Sequence, residues 1–187
     1  MVNNILYQSL HNYYSNDENM TKFNDYVNGD KKISLRIIDW FVTNYSKKFN
    51  VFYEIYETPK GELTFESDGN ELSKQINIFH AYKSQLKSYS KKKFDPFCRK
   101  ERINFECNEM NLETTIGQLN FFKWSIDNLI LEYITDNYNH IETDMNLCYN
   151  NNKKKKIDNE RKPRQELSKS ASRGLNTTTH KIKLDFD

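Results

Sequence analysis

Lysine and arginine side chains are concentrated in residues 83–102, which read KSQLKSYSKKKFDPFCRKER and are called the basic segment below. The segment holds eight basic and two acidic residues, with Tyr89, Phe94 and Phe97 between them. Clustered cations neutralise phosphates, and flat rings can stack on bases. The basic segment therefore predicts a surface that binds a polyanion. The predicted phosphate contacts are Lys87, Lys91, Lys92, Lys93, Arg99, Lys100 and Arg102.

A second basic stretch begins near residue 150 and has few apolar side chains, which predicts a flexible tail. Its basic run is typical of nuclear-localisation or polyanion-binding segments. The predicted contacts in this tail are Lys153, Lys154, Lys155, Lys156, Arg161, Lys162 and Arg164. The last eight residues alternate apolar and polar side chains, which fits either a short strand added to a sheet edge or a frayed terminus.

The segment between these two basic stretches is acidic. Residues 103–149 contain one basic side chain, Lys123, and eight acidic ones, while the whole chain has a net charge of +2. Such segregation indicates an external polyanionic partner, pairing of opposite charges within the molecule, or charged faces that are only solvated. The sequence leaves these interpretations open.

Motifs for catalysis are missing from the sequence. It contains no glycine-rich phosphate loop, no nucleophile elbow and no zinc-type spacing of cysteine and histidine, so no metal, cofactor or catalytic residue is predicted. Acidic residues on a predicted hairpin are a weak pattern for a metal-dependent nuclease; they are Glu54, Glu57, Glu62 and Glu66. Three cysteines predict free thiols in a reducing compartment. No signal peptide and no membrane span are predicted.

Hydrophobic periodicity predicts both helices and strands. Ser34 has the properties of an N-cap for an amphipathic helix that runs to about Phe49. Alternation then predicts a β-hairpin of 50–57 with 62–67. Residues 71–90 return to helical spacing, and a strand over residues 76–79 followed by a helix is the alternative.

The second half of the predicted domain begins at an elbow, Phe94-Asp95-Pro96-Phe97, because proline disfavours helix at the preceding residue. We expect its phenylalanines to pack on the core rather than on bases, and Asp95 to cap a turn. A strand is predicted over 102–107, and Thr115 with Gln118 matches the capping box of a long core helix. Asp127-Asn128 can break that helix. Acidic residues surround the only lysine of this helical segment, so we do not expect it to be a helix-turn-helix that reads a groove of DNA.

These elements predict an α+β fold, with a small antiparallel sheet packed on two or three helices and a disordered basic C-terminal tail. The predicted organisation is a polar N-terminal segment over 1–30, a single α+β domain over 31–149, and the basic tail over 150–187.

Three stretches of the sequence together resemble a known group of proteins. They are YKSQLKSYSKKKFDPFCRKERI (82–103), ETTIGQLNFFKWSIDNLILEYI (113–134) and RQELSKSASRGLN (164–176). The chain resembles uncharacterised proteins of large cytoplasmic DNA viruses, and its abundant Asn, Lys, Ile and Tyr suit an A/T-rich genome. The resemblance implies a viral factory in the host cytoplasm or the virion; the basic tail is also compatible with the nucleus.

The function expected from these features is non-enzymatic binding of DNA or RNA through phosphates, without base specificity. The alternative is a virion or assembly component whose basic segments hold an acidic viral protein. No membrane partner is expected.

Overall fold

A computed structural model describes residues 5–28, 33–67, 69, 72–107 and 110–158, with the backbone alone for residues 72 and 152–158. Contacts divide the chain into two compact units, Met1–Leu147 and Cys148–Asp187. The elements in chain order are α1 (Ile5–Tyr14), α2 (Asp17–Val27), α3 (Leu35–Trp40), a π-helical turn (Phe41–Tyr45), α4 (Ser46–Lys48), β1 (Phe52–Glu57), β2 (Leu63–Thr64), β3 (Leu72–Asn77), α5 (Ile78–Lys93), β4 (Ile103–Cys107), β5 (Met110–Thr114), α6 (Ile116–Ile126), α7 (Ile130–Asp136) and α8 (Tyr138–Asp158).

The α+β class is confirmed, but the strands form two separate antiparallel sheets where one was expected. The first sheet has the order β2-β1-β3, and Tyr56 pairs with Thr64 across the predicted hairpin. Strand β3 and helix α5 follow the strand-then-helix alternative for residues 71–90, although the strand begins earlier than expected. The second sheet pairs the predicted strand β4 with β5, which the sequence did not reveal; Phe105 lies opposite Leu112.

Helices α1 and α2 contribute more to the core than the polar composition of residues 1–30 suggested. Leu10, Tyr14 and Phe23 are completely buried. Both helices pack on α6, and the Tyr14 hydroxyl donates a hydrogen bond of 2.7 Å to the carbonyl of Leu119. The first two helices therefore belong to the same compact unit as the sheets.

Helix α6 is the central element of the core, and most of its residues are buried on every side. The predicted N-cap is present, since Thr115 Oγ1 accepts a hydrogen bond of 3.0 Å from the Gln118 N–H. The reciprocal half of the capping box is wrong, because the Gln118 side chain bonds elsewhere. The helix breaks at the expected place: Leu129, between α6 and α7, has a left-handed φ of 50°.

Helix α8 extends to Asp158 and so includes the first residues of the predicted basic tail. The predicted contacts Lys153, Lys154, Lys155 and Lys156 lie on its backbone, and their side chains are not described. Arg161, Lys162, Arg164 and the predicted terminal strand lie outside the described residues. Of the helices that the structure describes, none combines the length and the apolar character needed to cross a membrane.

Candidate nucleic-acid interface

The basic segment forms the C-terminal two thirds of α5, the elbow of residues 94–97, and the loop that leads into β4. All seven of its predicted phosphate contacts are exposed to solvent. They do not form one row, however. Two features of the backbone and two ion pairs divide them into groups with different surroundings.

A kink at Ser90 changes the direction of the lysines that follow it. Lys83 and Lys87 are four residues apart, which places them on one face of α5. Ser90 has a φ of 58° and a ψ of 167°, a conformation that is strained for any residue except glycine. Its hydroxyl accepts a hydrogen bond of 3.4 Å from the N–H of Lys92. Lys91 therefore does not continue the row begun by Lys83 and Lys87.

The backbone after the kink is held against the N-terminal turn of α6. A Cβ atom on Gly117 would lie 3.2 Å from the carbonyl oxygen of Lys92 and 3.3 Å from the nitrogen of Phe94, so glycine is what permits this close approach. The N–H of Asp95 donates a hydrogen bond of 3.1 Å to the carbonyl of Gly117. The lysines thus project from a backbone fixed on the core.

Two buried amide side chains of α6 strengthen this attachment. Gln118 Nε2 donates to the carbonyl of Pro96 at 2.9 Å, and Asn120 Nδ2 donates to the carbonyl of Lys93 at 2.8 Å. Both side chains satisfy carbonyl groups that no regular element would otherwise pair. Sequence reasoning missed these positioning residues, because an Asn or Gln within a helix carries no local signal of a distant partner.

The expectation that the elbow phenylalanines pack on the core is confirmed for Phe94, whereas Phe97 is not among the described residues that pack against the core. Phe94 is 1% exposed, and its ring lies 5.2 Å from that of Phe121 and 5.4 Å from that of Trp124. Phe97 is half-buried, and the Arg99 guanidinium lies over its ring at 4.6 Å. The aromatic residues of the elbow are thus engaged within the protein.

The two arginines of the basic segment are paired with carboxylates. Arg99 Nη2 and Nε donate to the two carboxylate oxygens of Asp95 at 2.6 and 3.0 Å, which replaces the turn cap expected for Asp95. Burial raises the pKa of the nearby Asp39, and the positive charge of Arg99 opposes that rise. Arg102 Nη1 donates to the Glu113 carboxylate at 2.9 Å.

Three lysines meet at one groove. Its volume is about 510 Å³, and we call it the lysine groove. Its lining residues are Lys92, Lys93, Lys100, Glu101, Ile103, Thr115 and Ile116. Within the described ranges, none of the three lysines is ion-paired. Lys87 and Lys91 are exposed but do not line the groove.

Pairing of opposite charges within the molecule neutralises little of this surface. Among the described residues, the ion pair that joins the basic segment to the acidic segment 103–149 is Arg102 with Glu113. Lys123, in the acidic segment itself, pairs with Asp127 at 2.6 Å. The lysines of the groove take part in neither of these pairs.

The acidic residues that the sequence places on the first hairpin are largely exposed. Glu54 accepts a hydrogen bond of 2.5 Å from the Tyr56 hydroxyl. In the part of the chain that the structure describes, no three residues of the His, Cys, Asp and Glu types are grouped so that they could hold a metal ion. The weak nuclease pattern of the sequence gains no geometric support.

Comparisons with known proteins show the family of this chain. The chain belongs to a family of unknown function, DUF7197, whose model matches residues 2–161 and so includes the elbow and the lysine groove. It is also 39% identical over 150 residues to "Uncharacterized protein L507" of Acanthamoeba polyphaga mimivirus, which covers 77% of this chain and 52% of the mimivirus protein. The chain thus spans about half the length of that relative. The resemblance to proteins of large DNA viruses is confirmed. No solved structure matches the chain.

Proposed function

We propose that the protein is a viral accessory protein that binds the phosphates of DNA or RNA through the lysine groove, with Lys87 and Lys91 beside it. The observation that carries the proposal is the convergence of Lys92, Lys93 and Lys100 on one groove without an ion pair among the described residues. Lysine ammonium groups act as point charges that displace counterions from a phosphate backbone.

The pairing of the arginines supports binding without base specificity. An arginine fork is the side chain that most often reads guanine in a groove. Arg99 is bonded to Asp95 through two nitrogens, and Arg102 to Glu113. The remaining cations of the basic segment are lysines. A single ammonium group recognises charge more than it recognises the edge of a base. The tail contacts Lys153, Lys154, Lys155, Lys156, Arg161, Lys162 and Arg164 would add affinity of the same kind.

The mimivirus relative supports a viral setting for this activity. A phosphate-binding protein of a large DNA virus would act in the viral factory of the host cytoplasm or inside the virion, in replication, transcription or genome packaging. The basic tail keeps the nucleus compatible with the proposal.

Salt dependence of binding tests the proposal. We would measure the affinity of the full chain for labelled DNA and RNA by fluorescence anisotropy at several salt concentrations. Substituting Lys92, Lys93 and Lys100 with alanine should lower the slope of log affinity against log salt by about 2 to 3, since each phosphate contact contributes about 0.7 to 0.9. Lys60→Ala, on an exposed turn, is the control. It should lower the slope by no more than about 0.9, which is the contribution of one phosphate contact. A wild-type chain that binds neither polymer at low salt contradicts the proposal.

An assembly role with an acidic protein partner is the second candidate. It is favoured by a groove of about 460 Å³ where Phe49 and Leu147 are 52% and 58% exposed, next to His140 and to the ion pair of Lys48 with Asp144. Exposed apolar side chains in a groove are typical of protein contacts. Competition separates the two candidates, with a labelled oligonucleotide as the probe. If the surface binds acidic proteins, polyglutamate should displace the probe as effectively as an unlabelled oligonucleotide of equal charge does. If the surface binds nucleic acid, the unlabelled oligonucleotide should be the more effective competitor.

A further inference from the structure

Apolar side chains accompany the cations in the lysine groove. Ile103, at the start of β4, and Ile116, at the start of α6, line it together with the three lysines. Both isoleucines are half-buried, so part of each apolar surface faces the groove or the solvent around it. Apolar surface does not stabilise a bound phosphate, because the phosphate is polar and stays hydrated. The isoleucines therefore indicate a ligand that also has an apolar part.

We infer that the lysine groove takes a single-stranded segment of nucleic acid, with one unstacked base against Ile103 and Ile116 and the flanking phosphates on Lys92, Lys93 and Lys100. This inference rests on the proposed function and narrows its substrate class. The two faces of a base are flat and apolar although its edge is polar, and moving one face from water to an apolar wall is favourable. A volume of about 510 Å³ lies in the range of pockets that hold small organic ligands.

A duplex cannot use the groove in the same way. Its bases are stacked and paired, and presenting one to a concave site requires that the base leave the helix, which costs free energy. A duplex would offer only phosphates to the lysines at the rim. A flexible single strand can place a base in the groove and keep its phosphates on both sides.

The kink in α5 also disfavours a duplex. A straight α5 would align Lys83, Lys87 and Lys91 along one face, a row that could follow the regular phosphates of a duplex. The backbone at Ser90, with a φ of 58°, interrupts that row. It turns the next lysines toward α6, where Gly117, Gln118 and Asn120 hold their backbone.

The experiment compares three labelled ligands of equal length at one low salt concentration: a single strand, its duplex, and an abasic single strand that keeps the sugar and phosphate groups. We expect the full chain to bind the single strand about fivefold more tightly than either of the other two, because only the single strand can bury the face of a base on the two isoleucines. Alanine at Lys92, Lys93 and Lys100 should lower the affinity for all three ligands.

A variant that replaces an apolar residue of the groove separates base contact from phosphate contact. Ile116→Thr should reduce the preference for the single strand over the abasic strand and leave the salt slope unchanged. Thermal melting checks its fold, and if Ile116→Thr is unfolded, Ile103→Thr makes the same test, since threonine suits a strand.

The possible failures are distinguishable. Duplex binding as tight as single-strand binding overturns the single-strand inference and leaves the proposed function in place. Equal binding of the abasic strand does the same. Binding of none of the ligands overturns the proposed function and the inference together.

Discussion

The guanidinium of Arg99 donates two hydrogen bonds to the carboxylate of Asp95, at 2.6 and 3.0 Å. The side chain of Asp95 is 8% exposed and that of Arg99 is 59% exposed. An arginine that the sequence predicts as a phosphate contact therefore neutralises a buried acid of the elbow. Its first role is to permit Asp95 to lie in the elbow.

Removal of Arg99 should accordingly damage the fold more than removal of the other arginine. Arg99→Ala leaves the Asp95 carboxylate buried without this partner, and we expect it to lower the free energy of unfolding by about 1–3 kcal/mol. Arg102→Ala breaks an exposed pair with Glu113 and should cost about 0.5 kcal/mol or less. Urea denaturation of both variants measures the difference, and equal losses would contradict the structural role of Arg99.

Gly117 provides a test of the contact between the elbow and α6. Alanine is a better helix former than glycine by about 1 kcal/mol, so an unconstrained Gly117→Ala would stabilise the protein. Here the added Cβ would meet backbone atoms of Lys92 and Phe94 at 3.2 and 3.3 Å. We expect a net loss of about 1–3 kcal/mol, as for other overpacked sites.

The matched control for Gly117→Ala is Ser84→Ala, on the exposed face of α5. Thermal melting should show a lower melting temperature for the first variant and little change for the second. Oligonucleotide affinity should fall with Gly117→Ala, since Lys92 and Lys93 belong to the displaced backbone. A stabilised Gly117→Ala would show that the elbow can move away from α6 without cost.

The two elbow phenylalanines should differ strongly on truncation. Phe94→Ala removes a ring that is 1% exposed among Phe121, Trp124 and other aromatic side chains, and it should cost about 3–5 kcal/mol. Phe97→Ala removes a half-buried ring under Arg99 and should cost clearly less. Chemical denaturation decides between them, and a similar loss for both would mean that Phe97 is as important to the core as Phe94.

Local features of the sequence predicted the elements that local signals specify. The N-cap at Ser34, whose hydroxyl accepts from the Ile37 N–H at 3.3 Å, and the hairpin of β1 with β2 depend on residues a few positions apart. The helix break near Asp127 is of the same kind. In each case the residues that form the structure are neighbours in the chain.

The features that the sequence did not reveal depend on distant partners. Strand β5 reads Met-Asn-Leu-Glu-Thr, a polar pattern that becomes a strand by pairing with β4. The burial of Tyr14 depends on α6, more than one hundred positions away. The site follows the same rule: its cations were predicted, but the pairing of Arg102 with Glu113 and the grouping of three lysines arise only when β4, β5 and α6 meet.

Glu132 on α7 should make stability depend on pH. Burial raises the pKa of its carboxyl above the ordinary value of 4.5, while the nearby Lys22 acts in the opposite direction and Asp136 and Glu18 add to the rise. Its Oε2 atom is buried and has no hydrogen-bond partner among the described residues. The folded state therefore holds this proton to a higher pH than the unfolded chain does.

The sign of the effect follows from that difference. Because the folded state binds the proton more tightly, the free energy of unfolding falls as pH rises from about 4.5 through the raised pKa of Glu132. Glu132→Gln removes this half-buried charge, so it should stabilise the protein at pH values above this window, and its advantage should shrink as the pH is lowered toward 4.5. Glu57→Gln, on an exposed position of β1, is the control and should show no such trend. Denaturation curves across this pH range measure the free energy of unfolding of both variants. If that free energy depends on pH in the same way in both, the ionised Glu132 carboxylate does not destabilise the folded state.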